Sequence, residues 1–341
     1  MRRMPAEWEP HAATWLAWPH NAEDWPGKFA PIQWVYADII RHLSRHERVE
    51  LLVQDGEAEA KVRRILARAK ALNDKVRIHH VPTDRIWMRD SGCTFIQEGG
   101  RLKGVNWQFN AWAKYDNWQR DRQVGAAMAR IAGAELIQPI DRQGRVVLEG
   151  GSIDVNGDGI LITTEECLLS KVQERNAGLT KAGYERVFAE HLGIRKVIWL
   201  DRGVEGDDTH GHVDDITRFV APDTIVTVVE PDPSDPNHAP LAENLRRLKA
   251  ERDLEGQPFR IVELPMPSPV VFEGRRLPAS YGNFYIANGL VLVPTFNDPK
   301  DRLALNLLAE LFPDREVIGI HSGDFIWGFG AMHCMTQQQP A

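Results

Sequence analysis

The densest collection of reactive side chains is Gly206–Asp215, GDDTHGHVDD, which holds four Asp, two His and two Gly. It reads as a solvated acidic turn, or as an acid/base site. Along an extended chain, residues two apart point the same way, so His212 and Asp214 would face one pocket. A third reading is a metal centre, because His210-x-His212-x-Asp214 is the HxHxD run of some metallohydrolases. Such a centre needs further ligands, usually another His, and a supporting outer set. The sequence has no His between His238 and His321 and no Cys pair, so metal is the weaker expectation.

A second segment, Trp327–Pro340, carries Cys334 just beyond Gly328 and Gly330. The two glycines let backbone turn sharply or approach a ligand closely. A reactive Cys needs surroundings that favour thiolate, or a base within reach. His333 is adjacent, but neighbours in extended chain point to opposite faces. A base for Cys334 must therefore come from elsewhere, and His212 is the best candidate. Two further carboxylates sit where a chain could present them to a cleft: Asp90 in Trp87–Gly92 (WMRDSG) and Glu149 in Val146–Ser152 (VVLEGGS). Each reads equally as a turn or capping residue.

These groups are far apart in sequence and need a scaffold to bring them together. Short Val- and Ile-rich runs bounded by Gly, Pro or Asp read as strands, among them Val49–Val53, Val76–His80, Thr94–Ile96, Ile160–Thr163, Ile225–Val229, Phe259–Glu263 and Leu290–Pro294. Between them, Trp34–Ser44, Glu57–Ala71, Arg122–Ile131, Lys181–Leu192, Leu241–Glu251 and Asp301–Leu311 carry apolar residues at helical spacing. The alternation predicts a mixed α/β class. Glu230–Pro240, with four prolines, predicts a long surface loop. No GxGxxG or GxxxxGK[ST] opens a helix, which argues against the common nucleotide folds.

Across its 341 residues the chain is 43% hydrophobic and 26% charged, with net charge −7. The acidic balance argues against nucleic acid, whose binding needs clustered Lys and Arg, and suits a cationic ligand. No apolar run approaches the roughly 20 residues needed to span a bilayer, and the N-terminus lacks the apolar stretch of a secretory signal. The expectation is a cytoplasmic protein without a membrane partner. Three cysteines, Cys93, Cys167 and Cys334, without CxxC spacing form neither a disulfide framework nor a zinc cluster.

Taken together, the motifs Trp87-Met-Arg-Asp90-Ser-Gly, Leu148-Glu149-Gly-Gly-Ser152, Gly211-His212-Val-Asp214 and Met332-His-Cys334-Met-Thr-Gln resemble the agmatine deiminase and bacterial-type peptidylarginine deiminase family, within the guanidine-modifying pentein superfamily. The opening Met4-Pro-Ala-Glu-Trp-Glu-Pro-His11, the run Thr14–Pro19 and Phe109-Asn-Ala-Trp112 also look like that family. The resemblance covers nearly the whole chain, in order.

The resemblance implies a five-bladed α/β propeller with pseudo-fivefold symmetry, folded as a single domain over residues 1–341. It implies Cys334 as nucleophile, His212 as general acid/base and Glu149 as the partner positioning His212. Asp90 and Asp214 become the guanidinium-binding carboxylates, and Trp87 packs on the substrate's alkyl chain or simply in the core. No metal, nucleotide or organic cofactor is required. The implied reaction converts agmatine to N-carbamoylputrescine and ammonia, a step of polyamine and putrescine biosynthesis. The alternatives are a deiminase of free or peptidyl arginine, and a non-catalytic binder of small cations. A homo-oligomer is compatible with the sequence. Cys93, Phe329 and His210 depart from the family's usual residues, and the last two put the substrate's identity in question.

Overall fold

The computed structural model describes residues 2–142 and 144–341. Five of its sheets carry three or four strands, and all five follow one order. Each has an antiparallel pair followed by a parallel partner reached through a helix, because a parallel neighbour needs a long crossover.

In the first, Gln337–Pro340 runs antiparallel to His11–Ala17, which is parallel to Arg48–Val53 across the helix Phe29–His46. Val76–His80 extends that sheet through the helix Gly56–Arg68. In the second, Thr94–Glu98 is antiparallel to Arg101–Val105, which is parallel to Glu135–Ile137 across the helix Val124–Ala132. The third joins Asp154–Val155, Ile160–Thr164 and Lys196–Leu200 with the helix Lys181–Leu192. The fourth joins Thr217–Ala221, Thr224–Val229 and Arg260–Pro265 with the helix His238–Ala250. The fifth joins Tyr285–Ala287, Leu290–Thr295 and Glu316–His321 with the helix Asp301–Leu311.

The middle strands of the third, fourth and fifth sheets are buried on both faces, so they read as largely apolar runs instead of alternating ones. Each helix turns one apolar stripe inward. Tyr36, Ile40 and Leu43 are fully buried on the first, and Ala304 and Leu308 on the last. Side-chain caps fix helix starts: Asp55 accepts from the Ala58 amide at 2.8 Å, and Thr180 from the Gly183 amide at 3.3 Å.

The helices Lys181–Leu192 and Asp301–Leu311 have the predicted bounds. The expected loop Glu230–Pro240 is shorter than its prolines suggested, because a helix begins at His238. Pro240 lies in the first turn, where a missing N–H breaks no helical bond. The helix expected to reach Ala71 ends at Arg68, and Lys70 takes φ 55°. The strand expected at Phe259–Glu263 is shifted to Arg260–Pro265, in register with Thr224–Val229. No described helix is long and apolar enough to cross a membrane.

Candidate active site

Each of the five sheets opens with a strand, and each of those strands is preceded by a polar group that enters one site. Asp90 lies on the short helix Met88–Ser91, just ahead of Thr94–Glu98. Glu149 precedes Asp154–Val155. His212 and Asp214 precede Thr217–Ala221, Asn283 precedes Tyr285–Ala287, and Cys334 precedes Gln337–Pro340. A cavity of about 630 Å³ opens onto this cluster. Trp87, Asp90, Trp112, Gly330 and Cys334 line its inner part, and Asp24, Arg85, Asp208 and Arg275 its outer part.

Asp214 lies between Cys334 and His212. Its Oδ2 lies 3.7 Å from Cys334 Sγ, and its Oδ1 lies 4.0 Å from His212 Nδ1. That Oδ1 is buried and has no hydrogen-bond partner among the described residues. His212 and Asp214 lie side by side, as expected, but both are completely buried behind the cavity lining, and extended chain is not the reason. His212 caps the 3₁₀ turn Val213–Asp215, which curls Asp214 back beside it.

Asp90 Oδ1 lies 3.9 Å from His212 Nδ1 and accepts from the Gly151 amide at 3.0 Å. Its Oδ2 accepts from the Trp112 indole at 2.9 Å. Both donors are neutral. Burial, with the charges of Asp214 and Glu149, outweighs them and His212 and raises the Asp90 carboxyl to about 6. Glu149 Oε2 lies 3.6 Å from His212 Nε2, and its carboxylate accepts from Arg175 Nε at 3.2 Å. Burial works against its ionisation, but Arg175 and His212 hold Glu149 below the usual carboxylate range.

His212 itself is completely buried. Burial alone would lower its affinity for a proton. The charge of Asp90, with Cys167 and Glu149, reverses this and holds it well above the ordinary histidine range. Among the described residues neither ring nitrogen has a partner within 3.5 Å; the Glu149 carboxylate is 3.6 Å from Nε2. Cys334 is pushed the other way. Burial, then Asp214, Asp215 and Asp90, raise its thiol well above normal. Asn283 Nδ2 donates to Sγ at 3.0 Å.

The glycines in these motifs give room for close approach. A Cβ on Gly151 would stand 2.6 Å from His212 Nδ1 and 2.9 Å from Asp90 Oδ1. One on Gly330 would stand 2.6 Å from the Trp87 ring. The sharp backbone conformation expected of Gly328 and Gly330 falls instead on Phe329, with φ 65°. Phe329 lines the outer cavity and carries the Arg275 guanidinium 4.1 Å from its ring centre. Trp87 lines the cavity and also packs on Trp25 and Phe325, with ring centres 6.1 and 6.3 Å away. His210 hydrogen-bonds Ser170 Oγ at 3.0 Å. Cys93 is buried in the core beside Met128 and Ala129.

Two buried groups have the spacing to hold a metal ion: Glu149, Cys167 and His212, and Asp214, Asp215 and Cys334. Neither contains His210, the partner in the HxHxD run. Sequence reasoning gave no role to Arg175, Asn283, Asp215, His333, Glu7 or Trp112. Glu7, Trp112, Asp215 and His333 stand inside quoted segments. Arg175 and Asn283 had no local signal, because their partners are distant in sequence.

A model of the Porphyromonas-type peptidyl-arginine deiminase family matches residues 3–340. The chain belongs to this family. It is 37% identical over 362 aligned residues to the agmatine deiminase of Ectopseudomonas mendocina, covering 99% of this chain and 95% of that protein. The agmatine deiminase of Pseudomonas aeruginosa is 37% identical over 368 aligned residues, with the same coverage. Among solved structures, the agmatine deiminase of Enterococcus faecalis superposes with a TM-score of 0.91 at 30% identity, over 99% of this chain and 96% of that one.

Gly151→Ala places a methyl group between His212 and Asp90. It should lower kcat/KM by at least ~100-fold with an unchanged circular dichroism spectrum. A mild effect would mean that the site does not close around this point. If Asp90 holds a substrate cation it must be ionised, and kcat/KM should fall as pH drops through about 6, to which burial raises its carboxyl. A profile flat down to the ordinary carboxylate range would remove Asp90 from binding.

Proposed function

We propose that the chain is a hydrolase that deiminates a guanidine group, with agmatine as substrate and N-carbamoylputrescine and ammonia as products. The observation that carries this reading is the buried Asp214. One of its oxygens faces the Cys334 thiol and the other, unpartnered, faces His212. A guanidinium is flat, cationic and rich in N–H donors, and each carboxylate can take a pair of them. Asp90 and Asp214 then hold the guanidinium carbon over Cys334 Sγ.

The cation also changes the thiol. In the empty site the carboxylates oppose a thiolate, whereas a bound positive charge favours one. The Cys334 proton leaves to solvent as the cation binds, the thiolate sulfur attacks the carbon, and His212 gives its proton to the departing ammonia as the C–N bond breaks. Neutral His212 then takes a proton from water, which adds to the S-alkylthiouronium carbon. The C–S bond breaks, leaving the carbamoyl product and the free thiol. Glu149, fixed by Arg175, orients the imidazole. Trp87 and Trp112 wall the passage for the alkyl tail.

The proposal extends to architecture. The five sheets of one order, each delivering a polar group to one site, support five blades about a common axis within one domain spanning 1–341. Three free cysteines suit a reducing, cytoplasmic setting. A second substrate reading, free or peptidyl arginine, draws on Arg85 and Arg275 in the outer wall, where a tail carboxylate would meet cations.

Ammonia release from agmatine, arginine and a C-terminal arginyl peptide, measured side by side, tests both readings. Agmatine should give the highest kcat/KM, and Cys334→Ser should reduce release to background while keeping the fold. Turnover surviving in Cys334→Ser would refute the nucleophile, and arginine outpacing agmatine would reassign the substrate.

A further inference from the structure

His333 takes no part in the chemistry above, yet it is bound at both ring nitrogens. It is 2% exposed. Nδ1 lies 2.7 Å from Asp214 Oδ2, and Nε2 lies 2.7 Å from Glu7 Oε2. An ionised carboxylate only accepts, whereas a neutral imidazole has a single N–H. Both contacts are hydrogen bonds only if the ring carries two protons or one carboxyl carries the other.

Neither carboxyl is placed to hold that proton. Glu7 faces Arg218 at 2.9 Å and Arg89 at 3.2 Å in addition to His333. Burial opposes its charge, but Arg218, His333 and Arg89 keep Glu7 well below the usual range. Asp214 faces Asp90, Asp215 and Cys334 on its negative side, and His333, His212 and Arg218 on its positive side. Burial again opposes its charge, and His333 is the first of the groups that overcome it. Its neighbour Asp215 lacks such a partner, and burial together with Asp214 and Asp207 pushes it well up.

We propose that His333 is a positioning residue for deimination: a buried imidazolium, anchored by Glu7, that keeps Asp214 ionised and turned so that its free oxygen meets the substrate guanidinium. The proposal rests on the reading of Asp214 as a guanidinium ligand. It gives the adjacency of His333 and Cys334 a purpose, since one backbone turn delivers the nucleophile and the cation that charges its neighbour. Asn283 Oδ1 holds that turn by accepting from the His333 amide at 3.0 Å.

Two substitutions separate donor from charge. In His333→Asn the amide nitrogen falls near the old Nδ1, so it can still donate to Asp214, but it is neutral. In His333→Gln the amide reaches towards Glu7, and Asp214 loses its donor. His333→Gln should raise KM for agmatine ~10–100-fold. It should also steepen the acid limb of kcat/KM below the Asp90 step near 6, because Asp214 is then protonated more easily as well. His333→Asn should recover much of the KM but keep the steeper limb. Calorimetric binding of agmatine to the Cys334→Ser protein, with and without His333→Gln, reads the same effect without turnover. If His333→Gln does not fold, Glu7→Gln should show a smaller shift in the same direction.

Folded variants with wild-type KM, acid limb and agmatine affinity would overturn the proposal. So would equal losses in both variants confined to kcat. A wild type that neither binds nor turns over any guanidino compound would instead sink the functional reading itself.

Discussion

The site depends on burying carboxylates around a thiol with too few cations to balance them. Asp90, Glu149, Asp214 and Asp215 are all at least 96% buried beside Cys334 and His212. Charges in such surroundings interact strongly, and each must be paired, protonated or costly. Glu149 has Arg175 and Asp214 has His333. Asp90 has two neutral donors and His212 at 3.9 Å, and it is raised to about 6. Asp215 is pushed up as well. The cluster therefore holds more carboxylates than cations around Cys334, and in the proposed reaction a planar cation offsets that excess and favours the thiolate.

The fold meets this requirement by repetition. Each sheet begins with a buried strand, and the chain segment leading into it ends inside the cluster. Five segments supply Asp90, Glu149, Asp214, Asn283 and Cys334, which lie between 90 and 334 in sequence. Rigid strands follow at once, so each group is held by backbone that cannot drift. The chain's two ends are tied into the same place. Gln337–Pro340 pairs with His11–Ala17, and Glu7 reaches His333, Arg89 and Arg218.

What could be read from the sequence follows from locality. Parallel strands with continuous apolar runs, such as Leu290–Thr295, and helices with one apolar stripe stood out because their signals are local. The opening strands did not. Asp154–Val155 has two residues, and Gln337–Pro340 is polar yet wholly buried. The residues proposed to bear the chemistry stand in motifs, while their partners do not stand out. Arg175 lies 26 residues from Glu149, and His333 lies 119 from Asp214. His333 is adjacent to Cys334, but its contacts with Asp214 and Glu7 depend on two distant segments meeting. His210, the first residue of the HxHxD run, takes φ 65° and hydrogen-bonds Ser170, and among the described residues it joins neither group with metal-ligand spacing.

The most direct test is the ultraviolet absorbance of the Cys334 thiolate across pH, taken as the difference between wild type and Cys334→Ser, with and without bound guanidinium ion. The account predicts a midpoint well above that of an ordinary thiol in the empty protein, and a clear fall when the cation binds. A thiolate already present at neutral pH in the empty protein, or a midpoint that ignores the cation, would contradict it.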